Sequence, residues 1–499
     1  MFSIAIIVLY GLALVMILFY SIFQLILAVS YRKAHAGKTT KGFRPIEKVE
    51  QLPVDELPVV TIQLPIYNEY YVVERLLRNF AKMEYPLSKL EIQVLDDSTD
   101  ETVELVAKLV EEIREHGVDI KHIRRKERVG YKAGALDYGL KIAKGEFIAI
   151  FDADFLPNSD FLLNTVPFFK DENIGVVQTR WAHINKDHSL LTKLQAFALD
   201  AHFSIEQTGR NALGKFINFN GTAGIWRKKT IYDAGGWEHD TITEDLDLSY
   251  RAQLKGWKFR YVECIESPAE LPVAISAVRQ QQFRWNKGGA ENFRKMFSRI
   301  VTDKRHPLSV KLHGVIHLMN SSVFLFAFLV SLLSVPALCI KIFNDTYDLV
   351  FMIGGVFILS TIFLMFYYWT SYKDRTNNYL TDIPRFLGKF FMFLSMSMAL
   401  SLHNTIAVIE GLAGKKSSFV RTPKFNVMSG SNSWKSNKYL SKPVSLLSIF
   451  EGILSVYYLF GVVIGIVYGD YGLLPFHLML FIGFSILFYY NFNQVRARA

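Results

Sequence analysis

The sequence predicts an α/β domain with a mostly parallel sheet, joined to an α-helical membrane domain. Three observations predict it. Strand-like and helical runs alternate between residues 59 and 180, charge-free apolar runs lie on both sides of the polar middle, and acidic residues cluster where strand-like runs end. Alternation of strand and helix is the pattern of a sheet layered with crossover helices. Apolar runs of ~20 residues are long enough to cross a hydrocarbon core.

The elements follow in order. Residues 4–30 carry no charge and no basic residue precedes them, which predicts an anchor and not a cleaved signal. Arg32, Lys33, Lys38, Lys41 and Arg44 come next. Positive charge stays inside, so the N-terminus is expected outside and the polar middle, about 45–310, in the cytosol. There, Val59-Val60-Thr61-Ile62-Gln63-Leu64 precedes a helical run at 69–82, and Ile92-Gln93-Val94-Leu95 precedes another at 101–116. Further strands are expected near 120–124, 147–151 and 175–180, and Thr243-Glu244-Asp245 opens a helix. Apolar segments resume at 312–340, 349–372, 386–410, 443–468 and 471–491. The stretch 411–443 is basic, with Lys415, Lys416, Arg421, Lys424, Lys435, Lys438 and Lys442 and no acid; 373–389 carries Lys373, Arg375, Arg385 and Lys389. Both ends of 386–410 therefore belong on the cytosolic side, which is met if that segment lies along the membrane face. Five crossing segments result, with six as the alternative. The domains are then 1–44, 45–310 and 311–499.

Composition agrees. The chain has 499 residues, 51% of them hydrophobic, yet 20% charged, a mixture that suits one water-soluble domain on a membrane part. Mean hydropathy is +0.19. The net charge of +10 is assigned to loops beside anionic lipid and not to nucleic-acid binding. Cys264 and Cys339 lie in regions of different character, which argues against a disulfide framework and for a reducing compartment.

The acidic clusters carry the chemistry. Asp152 and Asp154 end the apolar run Phe147-Ile148-Ala149-Ile150-Phe151. Either they only hydrogen-bond the following turn, or they hold a hard cation, Mg²⁺ or Mn²⁺, whose shell diphosphate oxygens complete. Pro65-Ile66-Tyr67-Asn68-Glu69 and Asp96-Asp97-Ser98 end two other strand runs. Ligands of parallel sheets collect at the carboxyl ends of strands, and three such coincidences favour a site. Thr243-Glu244-Asp245 reads structurally as a helix cap with acids in the first turn. The run Gln280-Gln281-Gln282-Phe283-Arg284-Trp285 suits a sugar site, with stacking on the indole and hydrogen bonds from Gln and Arg, or an interfacial helix with a Trp anchor.

Together these motifs resemble the membrane-integrated inverting glycosyltransferases of family two, the cellulose and hyaluronan synthase class. The family pattern D, D-x-D, T-E-D, Q-x-x-R-W is met by Asp96-Asp97, Asp152-Ala153-Asp154, Thr243-Glu244-Asp245 and Gln281-Gln282-Phe283-Arg284-Trp285. The stretches IQVLDDSTD, GYKAGAL, FNGTAGIWR and AGGWEHDTITEDLDLSYRAQLKGWKF are similar to the plant cellulose-synthase-like A and C proteins, over about 58–300. Phe419-Val420-Arg421-Thr422-Pro423-Lys424 resembles the family's gating loop F-x-V-T-x-K, here 415–430, with Arg421 in place of valine.

The resemblance implies a GT-A-type cytosolic domain and a role for each residue. Tyr67, Glu69, Asp96 and Asp97 would hold the nucleoside, with Lys132 near the phosphates. Asp152 and Asp154 would bind Mg²⁺ or Mn²⁺, and Asp152 the donor as well. Asp245 would be the general base. Gln281, Arg284, Thr422 and Lys424 would support the diphosphate. Trp285, Asn220, Gly221, Thr222 and Glu244 would meet the acceptor, although Asn220-Gly221-Thr222 also reads as a tight turn. The expected reaction is processive β-glycosyl transfer from UDP-glucose or GDP-mannose to a growing glycan, β-1,4-linked, which is then moved across the plasma (inner) membrane. A non-processive enzyme with a lipid acceptor, and a transporter or scaffold with an inactive domain, remain alternatives. Partners for export are not specified by the sequence.

Overall fold

The computed structural model describes residues 1–38, 49–373, 379–417, 420–427, 438–439 and 446–496. Its soluble part is built on seven strands: β1 Val60–Ile66, β2 Leu90–Asp96, β3 Ile120–Ile123, β4 Phe147–Ile150, β5 Ile174–His183, β6 Gly224–Arg227 and β7 Lys258–Ala269. They lie in the order β3-β2-β1-β4-β6-β5-β7. β1 pairs in parallel with β2 and β4, β2 with β3, and β5 with β7. β6 runs antiparallel between β4 and β5. The sheet is therefore mostly parallel, as expected.

Every strand foreseen in the sequence forms; β6 and β7 are additional. β6 is four residues long, too short to show a period. β7 slips register against β5, so that Thr179 faces Val262 while Arg180 faces Glu266. The bulge breaks the alternation by which a strand is read.

β1 is buried along almost its whole length, as a central parallel strand requires. Helices α1 (Phe2–His35), α2 (Val73–Phe80), α3 (Thr102–Glu115) and α4 (Tyr131–Ile142) follow in chain order, then α5 (Glu244–Leu254). Leu76, Phe80, Val106 and Leu109 of α2 and α3 pack on one face of the sheet. Leu136 and Leu140 of α4 and Leu248 of α5 pack on the other. Strand order reverses at β1, with β2 on one side and β4 on the other. That reversal opens a crevice at the strands' carboxyl ends, where the predicted acids lie.

A long helix, α6 (Ile275–Thr302), leads from the sheet towards α7 (Val323–Phe343), α8 (Ile358–Lys373), α9 (Tyr379–Ala399), α10 (Ser401–Leu412), α11 (Leu446–Val467) and α12 (Leu474–Arg496). Among the described residues five helical segments are long and apolar enough to cross a membrane: Phe2–His35, Asn320–Phe343, Asp345–Tyr372, Leu446–Val467 and Leu474–Phe492. The segment expected along the membrane face is a bent pair, Thr381–Ala399 and Ser401–Leu412, meeting at 50°. On α11, Ile449, Ile453, Val456, Phe460 and Val463 form an exposed apolar stripe at helical spacing, a surface suited to lipid. Arg279 of α6 forms a buried ion pair with Glu451 of α11, to which Asn491 of α12 also donates at 3.1 Å. The helix that carries the Gln281-to-Trp285 motif is thus tied to the apolar helices. The chain is an integral membrane protein.

Candidate active site

β1 and β4 end beside each other, and the loops that follow them build the floor of one cavity. After β1 come Tyr67 and Asn68, the latter left-handed at φ 54°, a conformation asparagine tolerates. After β4 the Asp152 backbone N–H donates to Thr222 Oγ1 at 2.9 Å. Lys132 Nζ donates to Asp152 Oδ1 at 2.6 Å and to the Gly221 carbonyl at 2.8 Å. Gly221 has φ +76°, and a Cβ there would stand 3.0 Å from Asp245 Oδ2 and 3.4 Å from Lys132 Nζ. The chain bends at 221–223, and Gly221 lets the backbone approach the Asp245 carboxylate.

Asp245 sits in the first turn of α5, as the sequence suggests, with Thr243 before the helix. The Thr243 hydroxyl accepts from Asn292 Nδ2 at 2.9 Å instead of capping α5. α6 brings Gln281, Arg284 and Trp285 to the same cavity. Residues 420–427 close it: Thr422 Oγ1 accepts from Arg284 Nη2 at 2.9 Å, Lys424 Nζ lies 2.5 Å from Asp154 Oδ1, and Arg421 Nη1 lies 2.8 Å from Glu69 Oε2. Phe419, Ser418 and 428–430 of the predicted loop lie outside the described residues.

Of the residues singled out in the sequence, Tyr67, Glu69, Asp97, Lys132, Asp152, Asp154, Asn220, Gly221, Glu244, Asp245, Gln281, Arg284, Trp285, Thr422 and Lys424 line this cavity. Two do not. Asp96 is 1% exposed; one oxygen meets His122 Nε2 at 2.8 Å and the other accepts from the Ser98 N–H at 2.8 Å, so it braces the strand end. Thr222 is fully buried and acts on Asp152 through the bond just described. Adjacent residues at a strand end face opposite sides, and of the pair only Asp97 faces the cavity. Asp97 itself is gripped by the Arg125 guanidinium.

Several lining residues escaped the sequence reading. Arg128 stacks its guanidinium 3.4 Å from the centre of the Tyr67 ring. The basic run after β3 signalled charge there but not its direction. Trp181, at the end of β5, packs on Phe203 with ring centres 4.6 Å apart, and its buried Nε1–H has no hydrogen-bond partner among the described residues. Arg421 also stacks 4.4 Å from the Tyr439 ring. The departure from the gating-loop pattern is thus an ion pair to Glu69 and a ring contact.

The electrostatics divide the acids into two groups. Burial opposes ionisation of Asp152, but Lys132, Lys424 and Arg284 outweigh it and hold its carboxyl below the usual range. Burial likewise opposes the charge on Lys424, yet Asp154 and Glu69 push it up to about 12. Asp245 goes the other way: burial first, then the neighbouring Glu244 carboxylate, raise it to about 7, with Lys132 opposing. Glu244 is raised by burial as well. One carboxylate is kept ionised beside cations while another is poised near neutrality, the separation that distinguishes a binding acid from a base.

Asp152 and Asp154, in the turn that follows β4, offer carboxylate oxygens of the kind a hard cation takes; each is paired with one lysine, Lys132 and Lys424, and both line the cavity. Another acidic trio, Glu238, Asp240 and Asp247, lies close together elsewhere, but Lys295 Nζ fills it at 2.7, 2.6 and 2.8 Å. That trio is a closed ion-pair cluster.

A second cavity of about 390 Å³ continues from the first. The two share Trp181, Leu199, Asn220, Thr243, Asp245, Gln281 and Trp285. It runs between Tyr20 of α1, Phe324 of α7, Tyr368 of α8 and Phe393 of α9.

A mixed sheet with a D-x-D at a central strand end and an acid at a helix start defines a GT-A-type glycosyltransferase domain. Residues 58–288 match the family described as Glycosyltransferase like family 2. Glucomannan 4-beta-mannosyltransferase 2 of Arabidopsis thaliana is 36% identical over 398 residues, which cover 77% of this chain and 70% of that protein. Glucomannan 4-beta-mannosyltransferase 9 of the same plant is 35% identical over 426 residues, covering 83% and 76%. A mannosyltransferase from Pyrobaculum calidifontis, solved with GDP-Man and Mn²⁺, shares the fold: TM-score 0.54 at 18% identity, covering 82% of this chain and all of that one. The chain belongs to the family-two glycosyltransferases, alongside the glucomannan 4-beta-mannosyltransferases, and is a hexosyltransferase.

Proposed function

We propose that this enzyme transfers a hexosyl group, mannosyl from GDP-mannose or glucosyl from UDP-glucose, to the 4-hydroxyl of a β-1,4-linked glycan, and passes the product into the second cavity. The observation that carries the reading is the meeting of the two cavities at Asp245 and Trp285. On one side stand the carboxylates and cations suited to a nucleoside diphosphate. On the other lies a passage lined by aromatic rings, amides and hydroxyls, including Trp181, Tyr20, Tyr368, Asn218, Asn320 and Ser321. Sugar rings stack on aromatic faces, and their hydroxyls need such hydrogen-bonding groups. The names of the relatives support mannose and the 4-linkage.

In this mechanism Asp245 accepts the proton of the acceptor hydroxyl as its oxygen bonds to C1 of the donor sugar. The C1–O bond to the diphosphate breaks on the opposite face, which inverts the anomeric centre. Lys132 and Arg284 receive the charge that develops on the leaving group, and Thr422 and Lys424 close over it. Asp152 and Asp154 would hold Mg²⁺ or Mn²⁺, which neutralises diphosphate charge when bound. Trp285 gives the acceptor sugar a stacking face, and the buried Asn220 Nδ2, which has no hydrogen-bond partner among the described residues, is a donor available to a sugar hydroxyl.

The active domain and the basic loops lie in the cytosol, at the plasma (inner) membrane, with the N-terminus outside and five crossings. Leu191, Leu194, Val278 and Leu400 give the second cavity an apolar side that also suits a lipid acceptor. Product size separates the readings. Membranes carrying the enzyme are incubated with each nucleotide sugar, and the product is digested with linkage-specific hydrolases. Polymer cleaved by a β-1,4-mannanase or glucanase is expected; a single-sugar lipid product overturns processivity.

A further inference from the structure

One buried cation takes no part in the transfer as described. Lys287 lies on α6, one turn beyond Arg284, and is completely buried. A lysine is almost never fully buried unless it is paired. Its Nζ is 3.1 Å from Glu410 Oε2 and 2.9 Å from Ser417 Oγ. Glu410 lies near the end of α10, and Ser417 is in the segment that leads towards Thr422 and Lys424. Lys415 holds the other Glu410 oxygen.

The backbones there are equally close. A Cβ on Gly411 would stand 2.6 Å from the Lys287 carbonyl oxygen and 2.7 Å from the Ala290 Cβ. Any larger residue would push α10 off α6. Past this contact Gly414 takes φ +71°, and the chain leaves the helix. α6 thus grips the closing segment twice, at its root through Lys287 and at its tip through Arg284 and Thr422. Both grips come from one rigid helix a single turn apart.

We propose that Lys287 is a positioning residue for the transfer: it pins residues 413–417 to α6 and so sets where Thr422 and Lys424, in 420–427, stand over the donor diphosphate. Lys287 does not line the cavity. Its effect passes through Glu410 and Ser417. The inference rests on the reading of 420–427 as the cover of the nucleotide.

The test reads the position of the segment and the kinetics together. A cysteine replaces Val420, which is exposed, in a protein whose Cys264 and Cys339 are serine. With Lys287 intact, GDP or UDP is expected to slow its reaction with a thiol reagent. Lys287→Met removes the pin and leaves Glu410 paired with Lys415. It is expected to abolish that protection and to raise donor KM roughly tenfold, the size of one lost hydrogen bond to a charged group, with kcat changed less. Lys287→Arg is expected to restore both. Ser417→Ala, at an exposed position, removes only the segment's side of the contact and is expected to move both readouts the same way by a smaller factor. It decides the question if Lys287→Met does not fold. Full protection and an unchanged KM in Lys287→Met, or in Ser417→Ala where that variant decides, overturn the pin alone. Absence of protection with Lys287 intact overturns the nucleotide-cover reading, and the pin with it.

Discussion

Asp245 shows how a single side chain is given its task. Asp245 Oδ1 accepts from the Leu246 N–H at 2.9 Å in the first turn of α5. Asparagine keeps that acceptor and loses only the favourable charge at the helix start, ~0.3–1 kcal/mol, so Asp245→Asn would be mild if the residue only supported α5. As the base it cannot be replaced by an amide, and general-base losses run ~10²–10⁴-fold. The variant is expected to bind donor nearly normally and make almost no polymer; turnover above a tenth of wild type would return it to a structural role. Burial and Glu244 raise this carboxyl to about 7. The base must be unprotonated, so kcat/KM is expected to fall as pH drops through neutrality, and a bound cation would shift that limb lower. A profile flat down to pH ~4, where an ordinary carboxylate titrates, contradicts the assignment. At Asp154, the amide of Asp154→Asn is a poor ligand for a hard cation. It is expected to lose most nucleotide-diphosphate affinity, and EDTA to abolish transfer until Mg²⁺ or Mn²⁺ is added. Full activity in excess chelator would remove the cation from the scheme.

Among the elements, the closing segment and α6 behave as one unit. Arg421 meets Glu69 at 2.8 Å with both side chains largely buried, so the contact is weakly screened. Arg421→Val would restore the residue of the family pattern but leave Glu69 with only Lys424, 3.9 Å away, as a cationic partner among the described residues. Donor KM is expected to rise roughly tenfold, between the ~1 kcal/mol of an exposed ion pair and the several kcal/mol of breaking a fully buried one, and steady-state kinetics would register it. An unchanged KM would mean that the ion pair contributes nothing to closure. The structure also explains why α6 is long. It begins at the buried Arg279–Glu451 pair, carries Gln281 to Trp285 past the cavity and continues to Thr302.

Across the whole molecule, the apolar helices and the sheet share one continuous path, from the crevice at β1 and β4 to the space between α1, α7, α8 and α9. The topology that gives this path direction is open to a labelling test. Ser431, which lies outside the described residues, belongs to the basic stretch expected in the cytosol. A cysteine at that position should resist an impermeant thiol reagent in intact cells and react once the cells are opened. Labelling of intact cells would require a sixth crossing, through the pair bent by 50°.

The sequence by itself determined the layout of strands and helices around the crevice, the apolar helices and the acids at the strand ends, because each rests on local information; Lys132, Thr422 and Lys424 came only with the family resemblance. Period, charge-free length and acids at strand ends can all be read within ~20 residues. It could not separate Asp96 from Asp97, since neighbours on a strand differ only in the face they take, and the His122 contact that settles it comes from another strand. It missed β6 and β7, one too short and the other bulged. The partners of Arg421 and Lys287 are 352 and 123 residues away in the chain (421 − 69 and 410 − 287). Such ion pairs depend on which surfaces packing brings together, and no local pattern records that. Only the tertiary structure decided them.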